Sequence, residues 1–101
     1  MNDLTERVGL IAGDGVLPLE FVRSAKKEGF TVVSVGLTEN SFSLLKNISE
    51  NSVFCPIGKP IEIIDYLKTQ GVKNIGFAGK VDKKIIFTSI HEFDEHARKI
   101  L

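Results

Sequence analysis

The feature that most constrains this chain is a short apolar run ending on paired glycines: Arg7-Val8-Gly9-Leu10-Ile11-Ala12, then Gly13-Asp14-Gly15. Such a run, bounded by a turn, reads as a strand buried on both faces, as in parallel sheets covered by helices on each side. Glycines at the turn let the backbone reverse sharply. Pro18 then suits the first turn of a helix, where its missing N–H costs nothing. Leu17, Phe21, Val22 and Ala25 fall on one side at helical spacing, opposite Arg23 and Lys27. Gly29 stands where helices commonly end.

The unit repeats. Phe30 to Val35 is a β-branched strand, followed by a loop and a short helix from about Ser41 to Asn47. Ser52 to Pro56 reads as a third, shorter strand. Pro60 to Gln70 is a helix with Ile61, Ile63, Ile64 and Leu67 apolar, closed by Gly71. Asn74 to Ala78 is a fourth strand, ending at Gly79-Lys80. Strand alternating with helix predicts an α/β domain, a Rossmann-like doubly wound parallel sheet of order 3-2-1-4 with flanking helices. Beyond it, Ile85-Ile86-Phe87 fits strand or helix. Ser89 and Glu92 have capping-box spacing, and Ile90, Phe93, Ala97 and Ile100 form a helical stripe. The predicted division is a domain over 1–88 and a terminal helix over 89–101.

Composition narrows the function. The 101 residues make about one domain, and 13 basic residues balance 13 acidic ones. That balance lacks the basic excess of a nucleic-acid binder, so no nucleic-acid partner is expected. The single cysteine, Cys55, forms no internal disulfide and fits a reducing cytosol. No run of about 18 apolar residues marks a membrane span, and the polar start, Met1 to Arg7, is not a signal peptide. A cytoplasmic location is the expectation.

Two loops carry the chemistry. Gly13-Asp14-Gly15, between strand and helix, has the form of a phosphate cradle: close backbone approach, free N–H groups and a positive helix end. The dinucleotide fingerprint asks for a third glycine and an acid after the second strand. Pro18 stands in the place of that glycine, and Glu39, the nearest acid, lies beyond the second strand, so nicotinamide is a poor fit. A tight turn that binds nothing is the other reading. The second loop, Ala78-Gly79-Lys80, ends the fourth strand. In order 3-2-1-4 it faces the first across the switch-point crevice, where Lys80 would neutralise a phosphate or stand as a plain surface lysine.

Other motifs read as structural. Ile57-Gly58-Lys59-Pro60 fits a turn plus a proline opening a helix. His91 and His96 are spaced i and i+5, about 140° apart around a helix, so they do not form the i, i+4 pair of zinc proteases. His91 with Glu95 fits a solvated pair. Cys55 fits a buried structural thiol. No nucleophile stands in an activating motif, and neither a catalytic nor a metal-ligating residue is assigned in this chain.

These motifs resemble a known family. Leu10 to Pro18 is similar to the N-terminal motif of the LpxI-type UDP-2,3-diacylglucosamine pyrophosphatases, and Phe77-Ala78-Gly79-Lys80-Val81 to its second motif, at matching separation. The resemblance implies a Rossmann-like substrate-binding domain that precedes a C-terminal catalytic domain. The implied enzyme is a magnesium-dependent hydrolase cleaving UDP-2,3-diacylglucosamine to lipid X and UMP in lipid A biosynthesis, with the Mg2+ ligands in the C-terminal domain. Gly13, Asp14 and Gly15 would line the substrate crevice, with Ala78, Gly79 and Lys80 opposite. Asp14 departs most from expectation, because an acid beside a phosphate repels it unless a cation intervenes. The implied partners are the nucleotide-linked glycolipid and the C-terminal domain. Peripheral contact with the inner membrane and homo-oligomer formation are left open, as is a non-catalytic nucleotide-binding or regulatory role.

Overall fold

A computed structural model describes residues 6–49, 51–56, 59–80, 82–91 and 94–95. Their elements alternate as the sequence pattern predicts. They run β1 (Arg7–Ala12), α1 (Leu17–Lys27), β2 (Thr31–Gly36), α2 (Glu39–Leu45), β3 (Asn51–Phe54), α3 (Pro60–Thr69), β4 (Asn74–Gly79) and β5 (Asp82–Ser89).

The first four strands form a parallel sheet of order β3-β2-β1-β4, the predicted doubly wound arrangement. A fifth strand, β5, extends this sheet antiparallel to β4. It settles the ambiguity at Ile85-Ile86-Phe87 as strand. The reason is local: Gly79 pairs with Asp82, so the chain reverses in a tight hairpin, and a hairpin joins only antiparallel strands. Helical structure resumes at Ile90-His91, where the Ile90 N–H donates to the Lys73 carbonyl at 2.9 Å. Phe93, Ala97 and Ile100 of the predicted stripe lie outside the described residues.

Side-chain alternation splits the core into two layers. Val8, Leu10 and Ala12 of β1 point toward Phe21 and Val22 of α1 and Leu45 of α2. Ile11, with Val33 and Val35 of β2 and Ile75 of β4, points toward Ile63 and Leu67 of α3. Gly9 faces that second layer too, where a Cβ would come within 3.1 Å of both Val72 and Leu67. Ser34 is the polar member of β2, fully buried, and its hydroxyl meets those of Ser49 at 2.8 Å and Ser52 at 2.9 Å. Among the described residues no buried side-chain polar atom lacks a partner, which removes the cost of burying this serine.

Several boundaries differ from the sequence pattern by one or two residues, and those of α2 and β3 have a clear local cause. Helix α2 begins two residues early because Thr38 caps it: the Ser41 N–H donates to Thr38 Oγ1 at 3.0 Å, and the Thr38 N–H to Ser41 Oγ at 3.2 Å. β3 begins at Asn51 and stops at Phe54, before the predicted end at Pro56. The Cys55 N–H still donates to the Gly36 carbonyl at 2.9 Å, after which Pro56 has no N–H to give.

Gly36 allows α2 to start against the end of β2. A Cβ there would lie 2.6 Å from the Phe42 backbone nitrogen and 2.7 Å from its Cα. A helix backbone cannot yield as a side chain can. Gly36→Ala is expected to destabilise the chain by about 2 kcal/mol or more, while Thr38→Ala, which removes only a cap, should cost about 1 kcal/mol. Urea denaturation of the two variants checks the order; equal midpoints would contradict it.

Candidate functional site

The six residues singled out from the sequence come together at the carboxyl ends of β1 and β4. The Gly13 N–H donates to the Ala78 carbonyl at 2.8 Å, and the Lys80 N–H donates to the Asp14 carbonyl at 2.8 Å. The two loops are thus stitched backbone to backbone. Gly79 sits over Gly13 so closely that a Cβ on it would lie 2.6 Å from the Gly13 nitrogen and carbonyl carbon. Its φ of +122° is also a conformation that side chains resist. Both the space and the backbone angle require glycine here.

Around this seam the groups differ in exposure. Gly13, Ala78 and Gly79 are buried, Asp14 and Gly15 are half-buried, and Lys80 is exposed. Lys80 occupies the turn of the β4–β5 hairpin, which sequence reading took for a simple strand end. Its Cγ lies 3.8 Å from where a Cβ on Gly15 would stand, so its aliphatic stem runs alongside the first loop. Among the described residues its ammonium group pairs with no carboxylate.

Helix α1 begins at the same place. Val16 is its N-cap and makes no side-chain cap, and Pro18 occupies the first turn. The first N–H groups of a helix have no intrahelical acceptor, and the helix end carries about half a positive charge. Val16 itself is 65% exposed, an apolar residue on the rim. The open N–H groups and dipole of the α1 start and the exposed Lys80 ammonium are the groups beside this seam that favour an anion.

Thr38, a residue the sequence reading did not single out, completes the arrangement. Its Oγ1 donates to Asp14 Oδ1 at 2.6 Å. Asp14 therefore spans three strand exits, with its backbone in the β1 turn, its carbonyl tied to β4 and its carboxylate tied to β2. The capping pattern Thr38-x-x-Ser41 was the available signal for Thr38, since it marks a side chain fixed at the carboxyl end of β2.

The remaining motifs fall into place as structure. Lys59 is the N-cap of α3 and Pro60 its opening residue; Ile57 and Gly58 lie outside the described residues. His91 Nε2 stands 3.3 Å from Glu95 Oε2, both side chains exposed, as a solvated pair; His96 lies outside the described residues. Cys55 is buried, with burial and the nearby Glu62 carboxylate pushing its thiol pKa up against the opposing pull of Lys59. Among the described residues no three His, Cys, Asp or Glu side chains converge on a metal-sized site. No helix among them is long and apolar enough to cross a membrane.

Fold and seam together define a doubly wound α/β domain whose two glycine loops meet at the strand switch point, the place where ligands commonly bind in such folds. The LpxI N-terminal domain family matches residues 7–101, and the chain belongs to that family, one of enzymes tied to lipid A biosynthesis. Comparison with curated proteins and with solved structures gives no significant match.

Two outcomes are expected from the local geometry. Gly79→Ala should cost about 3 kcal/mol or more, from backbone strain plus overpacking. Gly29→Ala, with a similar φ of +94° but nothing within 4 Å of an added Cβ, should cost about 1–2 kcal/mol. Chemical denaturation distinguishes them. The Cys55 thiol, shielded and held protonated, should react with a thiol reagent far more slowly at pH 8 than after unfolding; equal rates would contradict its burial.

Proposed function

We propose that this chain is the substrate-binding part of a magnesium-dependent, cytoplasmic pyrophosphatase that hydrolyses UDP-2,3-diacylglucosamine to lipid X and UMP. The observation that carries the reading is the family match across both loops, together with the stitched glycine seam where those loops meet. In this reading the pyrophosphate lies against the α1 N-terminus and the Lys80 ammonium, which hold and orient it. Positioning and charge stabilisation supply most of the rate in phosphoryl transfer.

The chain's own described side chains do not make a magnesium cage, since no three suitable ligands converge. In this reading the ion is therefore held outside these side chains. Its ligands and the activation of water are assigned to a C-terminal domain, the second partner that this reading requires. On this basis the 101-residue chain binds but does not turn over substrate.

The test is a titration of the isotope-labelled chain with UDP, lipid X in detergent, and NADH, followed at backbone amides. UDP or lipid X is expected to shift Gly13, Gly15, Gly79 and Lys80, and Lys80→Ala to weaken that binding about tenfold. Shifts with NADH alone would replace the reading with a dinucleotide enzyme. Unchanged affinity in Lys80→Ala would remove Lys80 from the site. Magnesium-dependent hydrolysis by this chain alone would contradict the division of labour, whereas UDP binding without any lipid X response would favour a nucleotide-binding regulatory domain.

A further inference from the structure

The Asp14–Thr38 pair has a geometry that phosphate binding does not explain. A carboxylate in a phosphate cradle is unfavourable, yet Asp14 lies in the middle of this one. The structure resolves the conflict by direction. The carbonyl of Asp14 faces the β4 side, where it accepts from the Lys80 N–H, while its carboxylate turns to the β2 side and accepts from Thr38. The two polar ends of Asp14 are thus tied to opposite neighbours of β1, the carbonyl to Lys80 after β4 and the carboxylate to Thr38 after β2.

Thr38 is well placed to hold that orientation. Its hydroxyl has one proton, which goes to Asp14 Oδ1 at 2.6 Å, and its oxygen accepts from the Ser41 N–H at 3.0 Å. The capping box fixes the threonine, and the threonine fixes the carboxylate. Oδ2 of Asp14 meets no donor among the described residues, and the side chain is half-buried. A charged acceptor held in one orientation, with its second oxygen unpaired among the described residues, can take a further hydrogen bond from a ligand donor such as a sugar hydroxyl.

We propose that Asp14 is a specificity-determining residue that accepts a hydrogen bond from a sugar hydroxyl of a phosphorylated-sugar ligand, with Thr38 as its positioning residue. The inference rests on the anion crevice proposed above and adds a polarity to it: the phosphate lies toward β4 and Lys80, the hydroxyl-bearing ring toward β2 and Thr38. In many doubly wound domains an acid after the second strand takes the ribose hydroxyl. Here the acid comes from the β1 turn and reaches the same strand end through Thr38.

The experiment compares four ligands on the whole chain by calorimetry, with amide spectra confirming the fold. UMP is set against 2′,3′-dideoxy-UMP, and N-acetylglucosamine 1-phosphate, whose amine is acylated and uncharged, against cyclohexyl phosphate, so the arms distinguish a ribose from a hexosamine as the source of the hydroxyl. In at least one arm the wild-type chain should prefer the hydroxyl-bearing ligand about tenfold or more. Asp14→Asn should reduce that preference several-fold while leaving cyclohexyl phosphate and inorganic pyrophosphate bound as well or better, because a repelling charge is gone. Thr38→Ser should keep the preference and Thr38→Val should lose most of it. A preference unchanged in Asp14→Asn, or absent from both arms of the wild type, overturns the proposal while pyrophosphate still binds. Failure of pyrophosphate itself to bind overturns the crevice and this proposal together.

Discussion

The structure depends on one contact, the stacking of Gly79 on Gly13. Two backbone hydrogen bonds flank it, from Gly13 to Ala78 and from Lys80 to Asp14, each at 2.8 Å. Because neither glycine carries a Cβ, the exits of β1 and β4 approach to backbone contact, and the loops that follow become one rim. This contact lies where the strand order turns, with β2 and β3 on one side of β1 and β4 and β5 on the other. In doubly wound folds the connections leave toward opposite faces at that point, which is where such folds commonly bind ligands. The seam joins the two loops at this point, beside the start of α1.

The electrostatics of the crevice follow from what is tied down and what is not. Backbone groups of the seam are spent on each other, so they hold shape without offering charge. The charge comes from the uncapped start of α1 and from Lys80 at the hairpin turn. Asp14 would oppose both were its carboxylate not drawn toward β2 by Thr38 at 2.6 Å. Salt screens exposed charges over about 8–10 Å, so direction matters at these separations. Membership of the LpxI N-terminal domain family gives this arrangement its setting in lipid A biosynthesis.

The parallel sheet was legible because its signals are local. Apolar runs without alternation marked strands covered on both faces, and Gly29 and Gly71 marked where helices end. The two glycine loops followed from topology, since order 3-2-1-4 brings the first and fourth strand ends side by side. The β4–β5 hairpin was less legible: Gly79-Lys80 reads equally as a strand end before a helix, and only the pairing of Gly79 with Asp82 decides it. Thr38 was missed because its capping role and its bond to Asp14 are separate facts. The first can be read from Thr38-x-x-Ser41, whereas the second spans 24 positions and exists only once β1 and β2 are adjacent. The need for glycine at position 36 was hidden for the same reason, because the atoms that exclude a side chain belong to the next helix.

The central claim is that the loops after β1 and β4 form one preorganised rim before any ligand arrives. Amide hydrogen exchange in the ligand-free chain tests it directly at Gly13 and Lys80, the two donors across the seam. Exchange slowed to the level of the neighbouring strand amides of Leu10 and Phe77 is the predicted result. Exchange at the rate of an open surface loop would show that the seam is not held in solution, and would contradict the account.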